Sequence, residues 1–430
     1  MRPVSGFLRA NRLDPAHLDV PAICRAYVEE MERGLAGRPS SLPMIPTYIE
    51  TSRPLARGRR VIALDAGGTN LRVAAVSFDA SGTPVVEGLT RGRMPGVESA
   101  VTREEFFRTL ADAVRPHLAD SDRIGFCFSY PAEITREKDG RLIQFTKEIK
   151  APEVEGQLVG SGLLQALGAS GRAKVVLLND TVATLLAGRN AVPGRRFDDF
   201  IGLVCGTGLN AAYVERNALI RRLPGSVGTD GSMVVNTESG SFARGARGAV
   251  DDAFDATMNN PGRYRHEKTI SGAYLGALCR FAAESAARAG VLSPEAGRAI
   301  PQAASFSTRD LNDFLLYPDR ADHPFGAAVA GRDEDARALY RLCDTIVERA
   351  AAMVAVNLAG VVLKSGRGRD PRYPVCITVD GTTFWQLRTF RFRVESWMRR
   401  LLSGRSERAW EITSVEDAPL LGAAIAALTN

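Results

Sequence analysis

A short unit that occurs twice constrains the fold of this chain more than any other feature of its sequence. An apolar run leads into Asp-Ala-Gly-Gly-Thr-Asn at 65–70 and another leads out, and Cys-Gly-Thr-Gly-Leu-Asn at 205–210 is flanked in the same way. Each copy predicts two strands joined by a turn of glycine and threonine. Because the unit recurs, the sequence predicts a duplicated α/β protein with two lobes.

The segments around the two units alternate between helical and strand patterns. Residues 103–118 carry apolar side chains at helical spacing, and 124–128 and 175–178 are short apolar runs typical of buried strands. Further helices are predicted at 22–35, 181–187, 269–288 and 334–363. A late strand over 375–379 ends in Asp-Gly-Thr-Thr, which is a third turn of similar chemistry.

Composition and charge exclude several classes of protein. Of 430 residues, 45% are apolar and 24% charged, which predicts a globular chain with a large core. The net charge of +6 is spread over interspersed acids and bases, which predicts neither a nucleic-acid nor a membrane partner. The apolar stretch 350–363 is too short to span a bilayer, and no secretion signal is visible. The six cysteines show no paired spacing, which favours buried thiols and a cytoplasmic location.

The Gly/Thr turns admit two interpretations. Glycine allows backbone N–H groups to approach anionic oxygens and threonine adds a hydroxyl donor, as in a phosphate cradle. An ordinary hairpin explains either turn alone equally well. Three such turns favour a nucleotide held between two lobes. A P-loop motif is missing, and 206–211 fits the dinucleotide fingerprint without the helix that this fingerprint must open. Metalloprotease, zinc and esterase motifs are missing too.

Eight motifs in consistent order make the chain resemble the hexokinase family, within the superfamily of actin, Hsp70 and sugar kinases. Two are the repeated turns, D-A-G-G-T-N-L-R at 65–72 and C-G-T-G-L-N-A-A-Y at 205–213. The others are F-C-F-S-Y-P at 126–131, F-T-K-E-I-K-A-P-E-V-E-G at 145–156, L-N-D-T-V-A-T at 178–184, N-T-E-S-G-S-F at 236–242, H-E-K-T-I-S-G-A-Y-L-G at 266–276 and V-D-G-T-T-F at 379–384.

The resemblance implies a two-lobed ribonuclease H-like (actin-like ATPase) fold with a duplicated core, and phosphorylation of a hexose by ATP and Mg²⁺ as the first step of glycolysis. It implies a small lobe of 60–179 plus 415–430 and a large lobe of 1–58 plus 181–414. Asp180 matches the catalytic base, Lys147 is the candidate cation beside the transferred phosphoryl group, and Asp65 matches the carboxylate near Mg²⁺, which it contacts through water.

The remaining site residues follow from the same resemblance. Those that match the contacts to hexose hydroxyls are Ser129, Thr146, Lys147, Asn179, Asp180, Asn210, Glu238 and Glu267. Those that match the contacts to ATP are Asp65, Gly67, Gly68, Thr69, Asn70, Arg72, Gly206, Thr207, Gly208, Gly381 and Thr382.

The chemistry of these residues agrees with the implied roles. Hexose hydroxyls both donate and accept, so their site needs carboxylates and amides in fixed orientations. An ionised aspartate accepts the proton of the attacking hydroxyl. Taken singly, Asp180 also fits a helix N-cap, Glu267 a surface ion pair with Lys268, and Lys147 a solvated lysine. Two lobes imply closure around the sugar, which excludes water.

The chain departs from the family pattern at three places. Phe145 replaces a tryptophan, and Ser239-Gly240 replaces a Trp-Gly pair, which we expect to loosen the hexose pocket. The family's Gly-Ser-Gly-Lys-Gly run appears as Ala-Pro-Leu-Leu-Gly after Asp417, which predicts a stiffer approach to the nucleotide.

Some alternatives stay open at the level of sequence. The sequence is compatible with phosphorylation of glucose at its 6-hydroxyl, of another sugar or of a polyol. It is also compatible with a catalytically weak sugar sensor, which would have the same fold. The intact turns and Asp180 argue against the sensor, and the polar set argues against an actin-like ATPase. The preferred sugar, the phosphoryl donor, product inhibition and the choice between monomer and homodimer are left undecided.

Overall fold

The computed structural model describes residues 2–145, 149–192, 194–300 and 306–430. The chain begins with two helices and a two-residue strand: α1 (Val4–Ala10), α2 (Val20–Leu35) and β1 (Ile45–Pro46). Asp19 caps α2 by accepting a 2.8 Å hydrogen bond from the backbone N–H of Ala22. Tyr27 and Met31 are buried on one face of this helix, which confirms the predicted amphipathic pattern.

The first unit lies in a five-stranded sheet. Its strands are β2 (Val61–Gly67), β3 (Asn70–Phe78), β4 (Pro84–Arg93), β5 (Arg123–Phe128) and β8 (Lys174–Leu178), in the order β4-β3-β2-β5-β8. Around it lie α3 (Arg103–Val114), β6 (Ala132–Ile134), β7 (Gly140–Leu142) and α4 (Val159–Ala166). Strands β2, β5 and β8 are parallel, so their carboxyl ends meet at one edge. That edge carries Gly67, Ser129 and the pair Asn179-Asp180.

The second unit lies in a six-stranded sheet of the order β1-β11-β10-β9-β12-β13. The strands that follow the first sheet are β9 (Asp199–Cys205), β10 (Leu209–Arg216), β11 (Ser232–Asn236), β12 (Val375–Asp380) and β13 (Trp410–Thr413). Each repeated unit is an antiparallel hairpin, and the first strand of each also pairs in parallel with a later strand. The sequence repeat is therefore a repeat of topology.

The remaining helices follow α4 in the chain. They are α5 (Asp180–Gly188), α6 (Ala249–Ala256), α7 (Leu275–Arg288), α8 (Pro294–Ala299), α9 (Thr308–Leu316), α10 (Pro324–Val329), α11 (Asp333–Ser365), α12 (Thr382–Gln386), α13 (Phe390–Leu401) and α14 (Ala418–Thr429). The helix predicted over 269–288 begins only at Leu275. Its first residues bend instead, because the N–H groups of Gly272 and Ala273 bond to the carbonyls of Gly206 and Thr207.

Among the described residues, α11 is the one helix long and apolar enough to cross a membrane. The expectation that its apolar stretch is too short was wrong, because the helix has 33 residues. Burial explains its composition instead: 89% of its most apolar window lies inside the protein, as in a core helix of a globular protein.

Helices α5 and α14 lie between the two sheets. Helix α14 packs on α5 and on β2 and β5, while α5 packs on β9 and β12 of the other sheet. The helices approach so closely that a Cβ atom on Gly422 would lie 2.0 Å from the carbonyl oxygen of Ala183. The lobe boundaries at 60–179 plus 415–430 stay a prediction. All six cysteines are buried thiols, as their apolar surroundings indicate.

Candidate active site

A cleft of about 1020 Å³ opens between the carboxyl-end edges of the two sheets. The predicted residues that line it are Asp65, Gly67, Gly68, Asn70, Arg72, Ser129, Asn179, Asp180, Gly206, Thr207, Gly208, Asn210, Glu238, Glu267, Gly381 and Thr382. Thr69 lies in the first turn but does not line the cleft. Thr146 and Lys147 lie outside the described residues.

The first Gly/Thr turn is a two-residue hairpin loop held by side chains. Gly67 pairs with Asn70 across it, and Gly68 has a φ of +60°, a conformation that favours glycine. The hydroxyl of Tyr130 donates a 2.6 Å hydrogen bond to the carbonyl oxygen of Gly68. The turn is therefore fixed from the side of strand β5.

Arg72 connects this turn to the start of α14. Its Nη2 and Nε donate to Oδ2 of Asp65 at 2.6 and 2.9 Å, and its Nη1 forms an ion pair with Asp417. Asp417 has a φ of 53° and precedes α14, where Pro419 occupies the first turn and lines the cleft. The guanidinium group thus bonds to two carboxylates, and its predicted contact to phosphate stays a prediction.

The second Gly/Thr turn is held by neighbouring backbone groups and by one side-chain hydroxyl. The carbonyl of Gly206 accepts from the N–H of Gly272 at 2.7 Å and from Oγ1 of Thr383 at 2.9 Å. Gly381, at the third turn, has a φ of +118°, and a Cβ atom there would lie 2.4 Å from the carbonyl of Cys205. The second and third turns therefore pack backbone against backbone, which only glycine permits.

Asp180 is the first residue of α5, and Asn179 is the N-cap. Oδ1 of Asn179 accepts a 2.9 Å hydrogen bond from the N–H of Thr181. The alternative in which Asp180 caps the helix is therefore wrong. Its carboxylate lies at the N-terminal, positive end of the helix dipole, a favourable place for a negative charge, and it lines the cleft.

Three polar side chains form a network on the opposite wall. Nδ2 of Asn210 donates to Oδ1 of Asn236 at 2.7 Å, and Nδ2 of Asn236 donates to Oε1 of Glu238 at 2.8 Å. Glu238 adopts a left-handed conformation with a φ of 54°, which turns the chain at the end of β11. Burial, the largest effect, raises the pKa of the Glu238 carboxyl, and nearby Asp180 adds to it.

Glu267 points into the cleft. Its Oε2 accepts a 2.8 Å hydrogen bond from the N–H of Leu209, next to the second turn. The neighbouring Lys268 is buried and donates to Asp255 at 2.5 Å and to the carbonyl of Asn260 at 2.7 Å. The alternative of a surface ion pair between Glu267 and Lys268 is therefore wrong.

The carboxylates make the cleft strongly acidic. Burial raises the pKa of the Asp65 carboxyl, although the neighbouring Arg72 opposes this effect. Burial also raises the pKa of the Asp380 carboxyl, and the negative charges of Asp180 and Asp65 add to the increase. Among the described residues, no cluster of three or more metal-ligating side chains is present. This donor set fits Mg²⁺, which takes one or two carboxylates with phosphate oxygens and water rather than an all-protein cage.

The departures from the family pattern differ in their surroundings. Phe145 lines the cleft and packs on Tyr130, with ring centroids 5.1 Å apart. Ser239 is fully buried, its hydroxyl lies near that of Tyr27, and Gly240 lines the cleft in its place. The serine therefore faces the protein interior, not the hexose pocket that we expected it to loosen.

Sequence reasoning gave no role to several residues in or beside the cleft, among them Tyr130, Tyr264 and Asp380, which line it, and Asn236, which bonds to Glu238. Three of them lie inside motifs that it did recognise, so the motif was the available signal. Tyr264 precedes its motif and lines the cleft with a φ of 50°. Nothing in the local sequence indicates this conformation, because a tyrosine rarely adopts it.

Two sheets, a Gly/Thr turn at the edge of each, and an acidic polar cleft between them define a two-lobed phosphotransferase of the actin-like ATPase fold. Comparison with known proteins agrees. A solved structure of a hexokinase from Schistosoma mansoni complexed with glucose has a TM-score of 0.80 and 26% identity, over 99% of both chains.

Sequence models described as hexokinase match residues 4–190 and 200–429. Hexokinase-1 of Oryza sativa subsp. japonica is 30% identical over 95% of this chain and 87% of its own length. Hexokinase-7 of the same species is 30% identical over 96% of this chain and 94% of its own length. The chain belongs to the hexokinase family, the enzymes that phosphorylate hexoses with ATP.

Proposed function

We propose that the protein transfers the γ-phosphoryl group of ATP to the 6-hydroxyl of glucose, with Asp180 as the general base. The observation that carries this proposal is the position of Asp180. It lies at the carboxyl end of β8 and the start of α5, in one cleft with both Gly/Thr turns and with the polar network of Asn210 and Glu238.

In the proposed reaction, the sugar hydroxyl oxygen attacks the γ-phosphorus as its proton passes to the Asp180 carboxylate. The new O–P bond forms, the bond to the β-phosphate oxygen breaks, and ADP leaves with the bonding electron pair. General-base assistance contributes roughly 10²–10⁴-fold. The remaining acceleration comes from positioning and from stabilisation of charge on the phosphoryl oxygens.

The two turns would position the phosphates, with the backbone N–H groups of Gly68 and Thr69 and of Thr207 and Gly208 as donors. Mg²⁺ fits beside Asp65, where it would neutralise the phosphate charges. Lys147 is the proposed cation at the transferred group. Gly381 and Thr382 are proposed to contact the adenosine, because they line the cleft beside the second turn.

The proposed sugar contacts are carboxylates and amides that are already oriented by the protein. Asn236 holds Glu238, and the N–H of Leu209 holds Glu267, so both carboxylates are oriented before a sugar arrives. Ser129, Thr146 and Asn179 complete the proposed set. Glucose is the proposed hexose because the Schistosoma mansoni relative was solved with it. A cytoplasmic location and a role in glycolysis are proposed with it.

The test is a coupled assay with Mg²⁺ and ATP against glucose, mannose, fructose, glucosamine and glycerol, repeated with ADP and polyphosphate as donors. We expect turnover with glucose and ATP, and a loss of kcat of roughly 10²–10⁴-fold in Asp180→Asn. The control is Asp230→Asn, an exposed aspartate outside the cleft, which should leave kcat unchanged.

Near-normal turnover in Asp180→Asn would contradict the mechanism. If the wild-type protein phosphorylates none of the five compounds, yet glucose raises its melting temperature, the protein is a sugar sensor rather than a kinase. Turnover with glycerol alone would move the substrate class to polyols.

A further inference from the structure

Lys268, which follows the proposed sugar contact Glu267, is a buried lysine that no step of the proposed reaction uses. Its side chain is 1% exposed, and its Nζ donates to Oδ1 of Asp255 at 2.5 Å and to the carbonyl oxygen of Asn260 at 2.7 Å. Burial of an ion pair costs desolvation free energy, which apolar side chains of similar volume would avoid. The pair therefore points to a role other than stability.

The ion pair bonds to one backbone turn at three places. This turn, residues 260–264, is called the cleft turn below. Besides the bond from the lysine Nζ, Oδ2 of Asp255 accepts a 2.8 Å hydrogen bond from the N–H of Gly262. The backbone N–H of Lys268 donates to the carbonyl oxygen of Tyr264 at 3.1 Å. Burial opposes ionisation of Asp255, but the bonds from Lys268 and Gly262 outweigh it and lower the pKa of this carboxyl.

The cleft turn forms part of the wall on the proposed sugar side. Asn260 and Tyr264 both line the cleft. Burial, the largest effect, and the nearby charges of Glu238 and Glu267 raise the pKa of the Tyr264 phenol, which places it near both proposed sugar contacts. Tyr264 also has a φ of 50°, a conformation that persists only where surrounding groups hold it. The bonds from the ion pair are such groups.

We infer that Lys268 and Asp255 are positioning residues for the hexose. Their ion pair fixes the cleft turn, and the turn presents the amide of Asn260 and the phenol of Tyr264 to the sugar. Both groups form hydrogen bonds with hydroxyls. Neither Lys268 nor Asp255 lines the cleft, so each acts through the turn. This inference rests on the proposed function and adds a second polar wall to the sugar site.

The test separates positioning from stability with a single and a double variant. Lys268→Met leaves Asp255 as a buried charge without its lysine, so it should lower the melting temperature and raise KM for glucose. Lys268→Met combined with Asp255→Leu removes the whole ion pair, which should restore much of the lost stability. In the double variant, KM for glucose should still be raised roughly twofold to tenfold, as for one lost hydrogen bond to the sugar. Its kcat and its KM for ATP should stay close to the wild-type values.

A second measurement examines the turn without any sugar. Trypsin cleavage after Arg263, an exposed residue of the cleft turn, should be faster in the double variant than in the wild-type protein. The matched control is Lys364→Met, because Lys364 is 9% exposed and donates to Oε2 of Glu215 at 2.5 Å outside the cleft. This control should lower the melting temperature but change neither KM for glucose nor cleavage after Arg263.

Recovery of KM together with the melting temperature in the double variant would overturn the inference, because the pair would then act through stability alone. A raised KM in Lys364→Met would overturn it for the same reason. Equal cleavage after Arg263 in the double variant and the wild-type protein would show that the pair does not hold the turn. If the wild-type protein phosphorylates no hexose, the proposed function fails, whereas faster cleavage in the double variant would still support the role of the pair at the turn.

Discussion

The two Gly/Thr turns have similar sequences but are held in place by different kinds of contact. The first is a two-residue loop whose conformation requires a glycine at Gly68, and side chains of Tyr130 and Arg72 support it. The second is a three-residue loop between Cys205 and Leu209, and it is supported mainly by backbone groups of two distant segments, together with the side-chain hydroxyl of Thr383.

Glycine therefore has a different function in each turn. At Gly68 it permits a positive φ, while at Gly208 it leaves space: a Cβ atom there would lie 2.9 Å from Oε2 of Glu267. The sequence pattern predicts a turn in both cases, but not which property of glycine the turn uses. Two substitutions, Gly208→Ala and Gly68→Ala, test this difference, and a third with a smaller expected effect, Asp199→Asn, tests a difference between the strands that lead into the turns.

Gly208→Ala should impair sugar binding more than folding. The new methyl group displaces the end of a flexible side chain, so the stability cost is small, but Glu267 loses its hydrogen bond from Leu209 and its position in the cleft. Hydrogen bonds to charged groups contribute about 1.5–3 kcal/mol, so we expect KM for the hexose to rise roughly tenfold or more. Steady-state kinetics and thermal melting measure the two effects.

The control for this variant is Gly228→Ala, where a Cβ atom meets nothing within 4 Å. It should change neither KM nor the melting temperature. A normal hexose KM in Gly208→Ala would show that this glycine is not needed for space.

Gly68→Ala should impair the nucleotide side instead. Its φ of +60° is unfavourable for alanine, by about 1–2 kcal/mol. Gly58 has a φ of +68° in open space, so Gly58→Ala should lower the free energy of unfolding by a similar amount. Only Gly68→Ala should also raise KM for ATP. Urea unfolding of both variants measures the cost of the backbone conformation, and steady-state kinetics measures the effect on ATP use. If both variants had the same KM for ATP, the first turn would not belong to the nucleotide site.

The strands that lead into the two turns also differ at their first residue. Strand β2 begins with buried Val61, whereas β9 begins with Asp199, whose pKa is raised to about 7 by burial. The folded protein thus binds this proton more tightly than the unfolded chain, whose carboxyl has a pKa near 3.8. Stability should therefore fall as pH rises from about 4 to about 7 and change little above that range.

In the wild-type protein, the N–H of Phe200 donates a 2.8 Å hydrogen bond to Oδ1 of Asp199. Asp199→Asn removes the ionisable group but keeps a side-chain oxygen that accepts this bond. We expect the variant to lose less stability than the wild-type protein between pH 5 and pH 8 in urea unfolding. Asp230→Asn, on the surface, should follow the wild-type curve. Parallel curves for all three proteins would mean that Asp199 is ionised in the folded state across this range.

Much of the fold was predictable because the chain encodes it locally. Apolar periodicity predicted α2 and α3, short apolar runs predicted β5 and β8, and the repeat predicted two equivalent hairpins. The prediction for 269–288 was partly wrong, since Gly272 and Ala273 satisfy their N–H groups on the second turn rather than in a helix. These hydrogen bonds to the second turn replace helical ones, and their acceptors lie more than 60 positions away in the sequence. A local sequence pattern carries no information about such distant partners.

The candidate site was predictable as a set of residues, since the motifs name most of the residues that line the cleft. The supporting contacts were not. Tyr130 holds Gly68, and Asn210 bonds to Asn236 beside Glu238, through contacts between segments that are distant in sequence. The role of Lys268 was also hidden, because its partner Asp255 lies on another helix.

The sequence by itself determined the duplicated α/β architecture and the family, because strand–turn–strand periodicity and motif order are properties of the chain. It also supplied the acidic and amide side chains of the cleft. Only the tertiary structure decided which glycine provides conformation and which provides space, and that Ser239 faces inward while Phe145 faces the cleft. Those outcomes depend on the atoms brought within 3 to 5 Å of each side chain by packing, and that proximity exists only once the two sheets have assembled around α5 and α14.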